Sequence, residues 1–179
     1  WTVYNKNLAD ATKFLGLNTD SPADTSTANF NSTAPTSSVF SVGTDAGTNG
    51  STTVVAYCFA EISGYSKFGS YKGNSSTDGP FGYTGFKPAY IMFKRADGTD
   101  NWNISDNKRS PLNPAEYILR ANLDIVEYTG TAYRFDILSN GFKIRTTDGN
   151  FNDSSNVYIY MAFAEAPFVN SNGVPCTSR

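Results

Sequence analysis

The chain repeats itself, and this limits the folds open to it more than any other feature. Residues 53–61 (TVVAYCFAE) resemble residues 157–165 (VYIYMAFAE), 104 positions later, and both end in Phe-Ala-Glu, at Phe59-Ala60-Glu61 and Phe163-Ala164-Glu165. Upstream, Thr44-Asp45 with its polar loop matches Thr147-Asp148, and SVFSV at 38–42 matches NGFKI at 140–144, sharing Phe40 and Phe142. Asn31–Ala34 aligns with Thr129–Ala132, Lys13-Phe14-Leu15 with Glu116-Tyr117-Ile118, and WTVYNK at Trp1 with WNISDN at Trp102. Six matches in one order make a repeat of structure and not a chance echo.

The second copy carries residues 65–101 ahead of Trp102, a stretch with no counterpart before Trp1. The expected organisation is therefore residues 1–62 as the C-terminal part of a first β repeat, 63–169 as a complete second repeat, and 170–179 as a flexible tail. A half unit with apolar strands leaves ladder groups and an apolar face unpaired. Residues 1–62 are thus expected to be completed from outside themselves, by upstream sequence, the second repeat or a neighbouring subunit. The start at Trp1, without Met or a signal region, reads as a processed product or the visible end of something longer.

Within a unit the patterns are those of strands. In 157–164 both faces are apolar, as in a central strand covered on both sides, and 53–61 and 88–95 read the same way. Pro88 sits at a strand start, where its missing N–H is tolerated. Asn140-Gly141 between YRFDIL and FKIRT is a hairpin signal, and Asp78-Gly79, Asp97-Gly98 and Asp148-Gly149 mark further turns. Ser, Thr and Asn supply 56 of 179 residues (19, 19 and 18), and aromatics 15%. That mixture suits twisted strands and starves helices. One helical candidate stands out, residues 114–121, with Asn113 as N-cap and Pro114 at the first helical position. About six or seven short strands per unit imply an all-β fold of β-sandwich, jelly-roll-like repeats, one partial and one complete.

The same chain excludes several chemistries. It has no histidine, which removes Ser-His-Asp and Cys-His catalysis and imidazole metal sites. A net charge of −2 offers no basic field for nucleic acid, and no apolar run is long enough to span a membrane. Cys58 and Cys176 are too few for a thiolate zinc site, and two unpaired thiols are expected in preference to a staple.

Four features remain as candidates. Glu61 and Glu165 could form a hydrolytic carboxylate pair, but each belongs to its own repeat, and a strand-terminal structural role is the stronger reading. Asp148 to Asp153 resembles the start of a calcium loop, yet it lacks the glycine at position six, and Ile159 stands where the bidentate Glu belongs. Tyr65, Phe68, Tyr71, Phe81, Tyr83 and Phe86 could stack on sugars, although core filling is the simpler use of such rings. The five Asn-x-Ser/Thr sequons are about what this composition gives by chance and carry no information on secretion. No catalytic, cofactor-binding or metal-binding residue and no cofactor is assigned.

Taken together, NWxxxD at 102–106, the segment SKFGSYKGNSSTDGPFGYTGFKPAYIMFKR, the hairpin FDILSNGFKIR and the ending VYIYMAFAEAPF resemble a repeated domain of marine tailed-bacteriophage structural, tail-fibre-like proteins. The resemblance spans about residues 1–170 and carries no functional residue with it. It implies a non-enzymatic virion protein, extracellular and exposed on the particle, with a tail fibre or host-attachment appendage as first choice. A capsid decoration or head fibre is second, and a carbohydrate-binding module is the alternative from another class. The partners it implies are other virion proteins, further copies of the chain (a trimer favoured) and a host-surface glycan, with neither nucleic acid nor membrane.

Overall fold

In the computed structural model, which describes residues 1–165, the chain is all-β with three one-turn helices. The first copy holds β1 (Thr2–Val3), β2 (Lys13–Gly16), β3 (Asp24–Thr25), α1 (Thr27–Phe30) and α2 (Ala46–Asn49). The second copy opens with β4 (Ser66–Lys72), β5 (Phe81–Tyr83) and β6 (Pro88–Arg95). It continues through β7 (Asn103–Asp106), β8 (Tyr117–Arg120), β9 (Tyr128–Thr129), β10 (Phe135–Leu138), β11 (Gly141–Ile144), α3 (Gly149–Asn152) and β12 (Val157–Ala164).

All named pairings are antiparallel. A six-stranded sheet runs β4-β12-β6-β7-β8-β9, and the expected hairpin gives a three-stranded sheet β10-β11-β5. Between these two sheets lies the main core, where Phe93, Phe135, Phe142, Phe151, Tyr158 and Ile118 are fully buried. Alternation assigns the faces. Ile91, Phe93, Tyr158, Tyr160 and Ala162 point into this core, while Met92, Val157 and Ile159 point to the other side of the sheet. Close approach explains two glycines: Gly69 lies opposite Tyr160 and Gly82 opposite Phe142, and a Cβ on either would fall within 2.3 Å of the facing ring.

The other side of the six-stranded sheet is covered by the first copy. Leu8 and Leu15 bury themselves with Ala96, Trp102 and Ile159, and Val3, Leu17, Ala23 and Met92 pack around them. Hydrogen bonds fasten this seam: Ala23 N to Ala96 O (2.7 Å), Asp100 N to Asp20 O (2.9 Å) and the Trp102 indole to Gly16 O (2.8 Å). The apolar second face of β12, expected from sequence, is thus explained by a layer that the first copy supplies.

Register matches between the two copies over part of their length. The first copy's sheet β1-β2-β3 reproduces β7-β8-β9 pair for pair. Thr2↔Gly16 and Val3↔Leu15 stand where Asn103↔Arg120 and Ile104↔Leu119 stand. Lys13↔Thr25 and Phe14↔Asp24 correspond to Tyr117↔Thr129 and Ile118↔Tyr128. Trp1 O accepts from Leu17 N, as Trp102 O does from Ala121 N, both at 3.0 Å. This corrects the sequence alignment at two places. Phe14 is equivalent to Ile118, not Tyr117, and Thr25–Ala28 (TSTA), not Asn31–Ala34, matches Thr129–Ala132 (TGTA).

Three further expectations are overturned. Residues 114–121 do not form a helix: Ala115 bridges to Phe135, and 117–120 are β8. The Asn113 side chain bonds both the N–H and the C=O of Ile137 at 2.9 Å, serving a neighbouring strand and not a helix start. Residues 38–42 and 53–61 are not strands, although their equivalents are β11 and β12; they run as irregular, mostly exposed chain. Cys58 is accordingly exposed and free instead of lying in an apolar strand. The expected flexible tail, 170–179, with Cys176, lies outside the described residues.

Candidate functional site

Each sequence candidate has a definite place. Glu61 is bound by Lys6 (2.6 Å) and Lys67 (3.1 Å) and accepts from Phe68 N (3.1 Å). Burial pushes its carboxyl up, but the bonds from Lys6, Phe68 and Lys67 outweigh this and hold it below the ordinary value. Glu165 is exposed and held by Lys108 and by Asn107 (3.0 Å), whose bonds likewise lower its pKa. Glu165 thus ties the end of β12 to the segment after β7, while Glu61, on irregular chain, is tied to Lys6 and to β4. Both carboxyls favour the ionised form, whereas a glycosidic general acid must keep its proton near neutral pH.

The loop after Asp148 folds as a capped turn. The Asp148 side chain accepts from Asn150 N (2.9 Å), and the Asp45 side chain does the same for Gly47 N (2.9 Å) in the first copy. Asn152, fully buried, donates to Thr146 O and Ser76 O (2.7 Å each) and to Asn74 Oδ1 (3.1 Å), and accepts from Asn74 N (2.8 Å). Its equivalent Asn49 keeps the first of these bonds, to Gly43 O at 2.7 Å. The Asp153 carboxylate is occupied by Ser154 N and Asn156 Nδ2. Oxygens that a calcium loop would aim at one point are spent on the turn itself. Among the described residues no three acidic or cysteine side chains gather in metal-binding geometry.

The aromatic candidates separate into two groups. Tyr71 and Phe86 belong to the main core. Tyr65 and Phe68, with Tyr90 and Phe59, ring Phe163 at centroid distances of 5.6 to 6.1 Å, on the sheet face opposite that core. On β5, Phe81 and Tyr83 are exposed. A shallow recess of about 380 Å³ beside Tyr83 is lined by Glu61, Ser63, Lys67, Tyr83 and Thr84.

The largest feature is the apolar face that the half unit leads one to expect, although not as strands. From Val39 to Ile62 the first copy exposes Val39, Phe40, Val42, Val54, Val55, Tyr57, Phe59 and Ile62. The residues equivalent to Phe40, Val42, Val54 and Val55 are Phe142, Ile144, Tyr158 and Ile159, all buried in the second copy. The strip thus carries at the surface the side-chain pattern that the second copy buries. Patches of this kind mark interaction surfaces on stable proteins, and this strip, with the Phe163 cluster at its end, is the candidate functional surface.

The model of a family described as "Domain of unknown function (DUF7483)" matches residues 1–167. No curated protein and no solved structure matches the chain.

Proposed function

The chain belongs to the DUF7483 family, and we propose that it serves as a non-enzymatic structural component of a phage particle, exposed on the virion. One observation carries this reading. Two copies of a unit are joined so that one copy's sheet covers the next copy's sheet, with Val3 and Leu15 meeting the face that carries their own equivalents, Ile104 and Leu119. Copies joined sheet to sheet suit an extended element built of repeats. A surface rich in Ser, Thr and Asn, with only 17% charged residues, suits work outside a cell. A tail fibre or host-attachment appendage is the preferred position, as a homo-oligomer with three-fold symmetry favoured. A capsid decoration is second.

Electron microscopy of particles labelled with an antibody to this chain tests the reading. Label on a tail appendage is the expected result, label on the capsid moves the protein to the second position, and particles without the chain refute the proposal. Exposed Tyr83 on the rim of the recess favours a host glycan as the appendage's contact. Glycan-array binding lost in Tyr83→Ala would support that, and purified protein is expected to hydrolyse neither peptides, esters nor polysaccharides.

A further inference from the structure

We propose that the exposed strip of residues 38–62 is a docking surface for one kind of partner: a polypeptide segment of the same kind as residues 65–101, supplied by another copy of the repeat and added as three strands. This goes beyond the virion assignment and does not rest on it.

The second copy shows what covers this sequence. There β12 lies between β4 and β6, and β11 pairs with β5. All three partners come from residues 65–101, a stretch with no counterpart among residues 1–62. First-copy strands β1, β2 and β3 form in register with their equivalents. Residues 53–61, whose equivalent β12 takes both of its partners from 65–101, form no strand, nor do 38–42, whose equivalent β11 lies between β10 and β5. The edge of β1 points the same way, because its equivalent β7 pairs with β6 through Phe93↔Asn103 and Met92↔Ile104, while β1 has β2 as its sole neighbour in its sheet.

An ordinary second copy of this chain fits less well as the donor. Its own β4 and β6 already flank its own β12 over the full strand length. The donor is therefore a 65–101 segment not engaged in its own repeat. Pairing gives the strip's free N–H and C=O groups partners and covers its apolar side chains, as in other cases of strand addition to an open sheet edge.

Cys58 provides the readout, because it is exposed here and its equivalent, Ala162, is completely buried. The experiment places a second copy of residues 63–101 directly before Trp1, the spacing that precedes Trp102, in a Cys176→Ser background. The rate of Cys58 labelling by an aromatic disulfide is then measured, with amide exchange over residues 38–61. Labelling about 100-fold slower than in the parent, with new exchange protection, is expected, since a group in paired core structure reacts only on opening. The same graft carrying Ile91→Asp and Phe93→Asp in the added copy should give no protection. If the graft fails to fold, the free 63–101 peptide is titrated into the parent chain, where saturable slowing of labelling supports the proposal. Parent-like labelling in both formats overturns it. So does concentration-dependent shielding of Cys58 in the ungrafted chain, which would make an intact second copy the occupant.

Discussion

Residues 38–61 and 140–165 are the same stretch of the repeat in two settings. In the second, Phe142, Tyr158 and Ile159 sit in two paired strands and are at most 2% exposed. In the first, Phe40, Val54 and Val55 are 43%, 49% and 66% exposed on chain without a ladder. The capped turn between the strands is nonetheless kept in both, with Asp45 and Asp148 in the same role. The difference separates local from non-local information. An N-cap closes a turn within a few residues, while a β-strand exists only where another strand meets it. Apolar alternation states a willingness to pair and supplies no partner.

The contrast can be tested at equivalent positions. Tyr158→Ala removes a fully buried ring that also bonds Gly149 O and Asp153 N, and should cost about 3–5 kcal/mol of stability in urea denaturation. Val54→Ala, at the matching place, should stay within about 0.5 kcal/mol. Equal costs at the two sites would show that the strip is already covered in solution.

The turns give a smaller contrast. Asn152→Ala strands several buried partners and should cost about 2–3 kcal/mol, whereas Asn49→Ala, losing an exposed bond, should cost about 1 kcal/mol or less. Thermal melts of the two variants measure this.

The seam between the copies has its own signature, through Lys94. This side chain is fully buried and donates to Arg95 O (2.5 Å), Asp20 O (3.3 Å) and Gly98 O (3.4 Å). Burial lowers its pKa from 10.5 to about 8, against the opposing pull of Asp100 and Asp20. The unfolded chain keeps this proton up to its higher pKa, so from pH 8 to 10 the unfolded state binds more protons and stability rises, by about 2 kcal/mol. Above pH 10 the sign reverses, because burial pushes Tyr90, Tyr158 and Tyr160 up to about 12, and the folded state then holds the protons that the unfolded state loses. Urea midpoints across this range should show the rise in the parent and lose it in Lys94→Met. The smallest effect is expected at the paired glutamates: Glu61→Gln should lower stability by less than about 1 kcal/mol, and Glu165→Gln should leave the melting midpoint unchanged.

Much of the second copy was readable in advance. β6, β12 and the β10–β11 hairpin follow from apolar runs, Pro88 and Asn140-Gly141, and the repeat follows from ordered matches. Residues 114–121 misled because Asn-Pro followed by Ala-Glu satisfies local helix rules, while the deciding contacts, Asn113 with Ile137 and Ala115 with Phe135, lie about 20 or more residues away. The three one-turn helices had visible N-caps in Ser26, Asp45 and Asp148, but a single turn leaves no periodicity to detect. The candidate surface was foreseen as an apolar face in need of cover, but as strands: its residues carry the signature of a core strand, and without strands in the places of β4, β5 and β6 they stand at the surface.

The hydrogen bonds across the seam end on main-chain carbonyls: Ala23 N with Ala96 O, Asp100 N with Asp20 O, and carbonyls of Gly16 and Asp20 receiving the Trp102 and Lys94 side chains. Any codon short of proline specifies a peptide N–H, and every codon a carbonyl. Mutation can therefore change residues 16, 20, 23, 96 and 100 without deleting these donors and acceptors. Drift at these five positions is therefore tolerated by the hydrogen bonds, and the constraint on the seam falls instead on the side chains that fill it or donate into it, Leu8, Leu15, Ile159, Trp102 and Lys94.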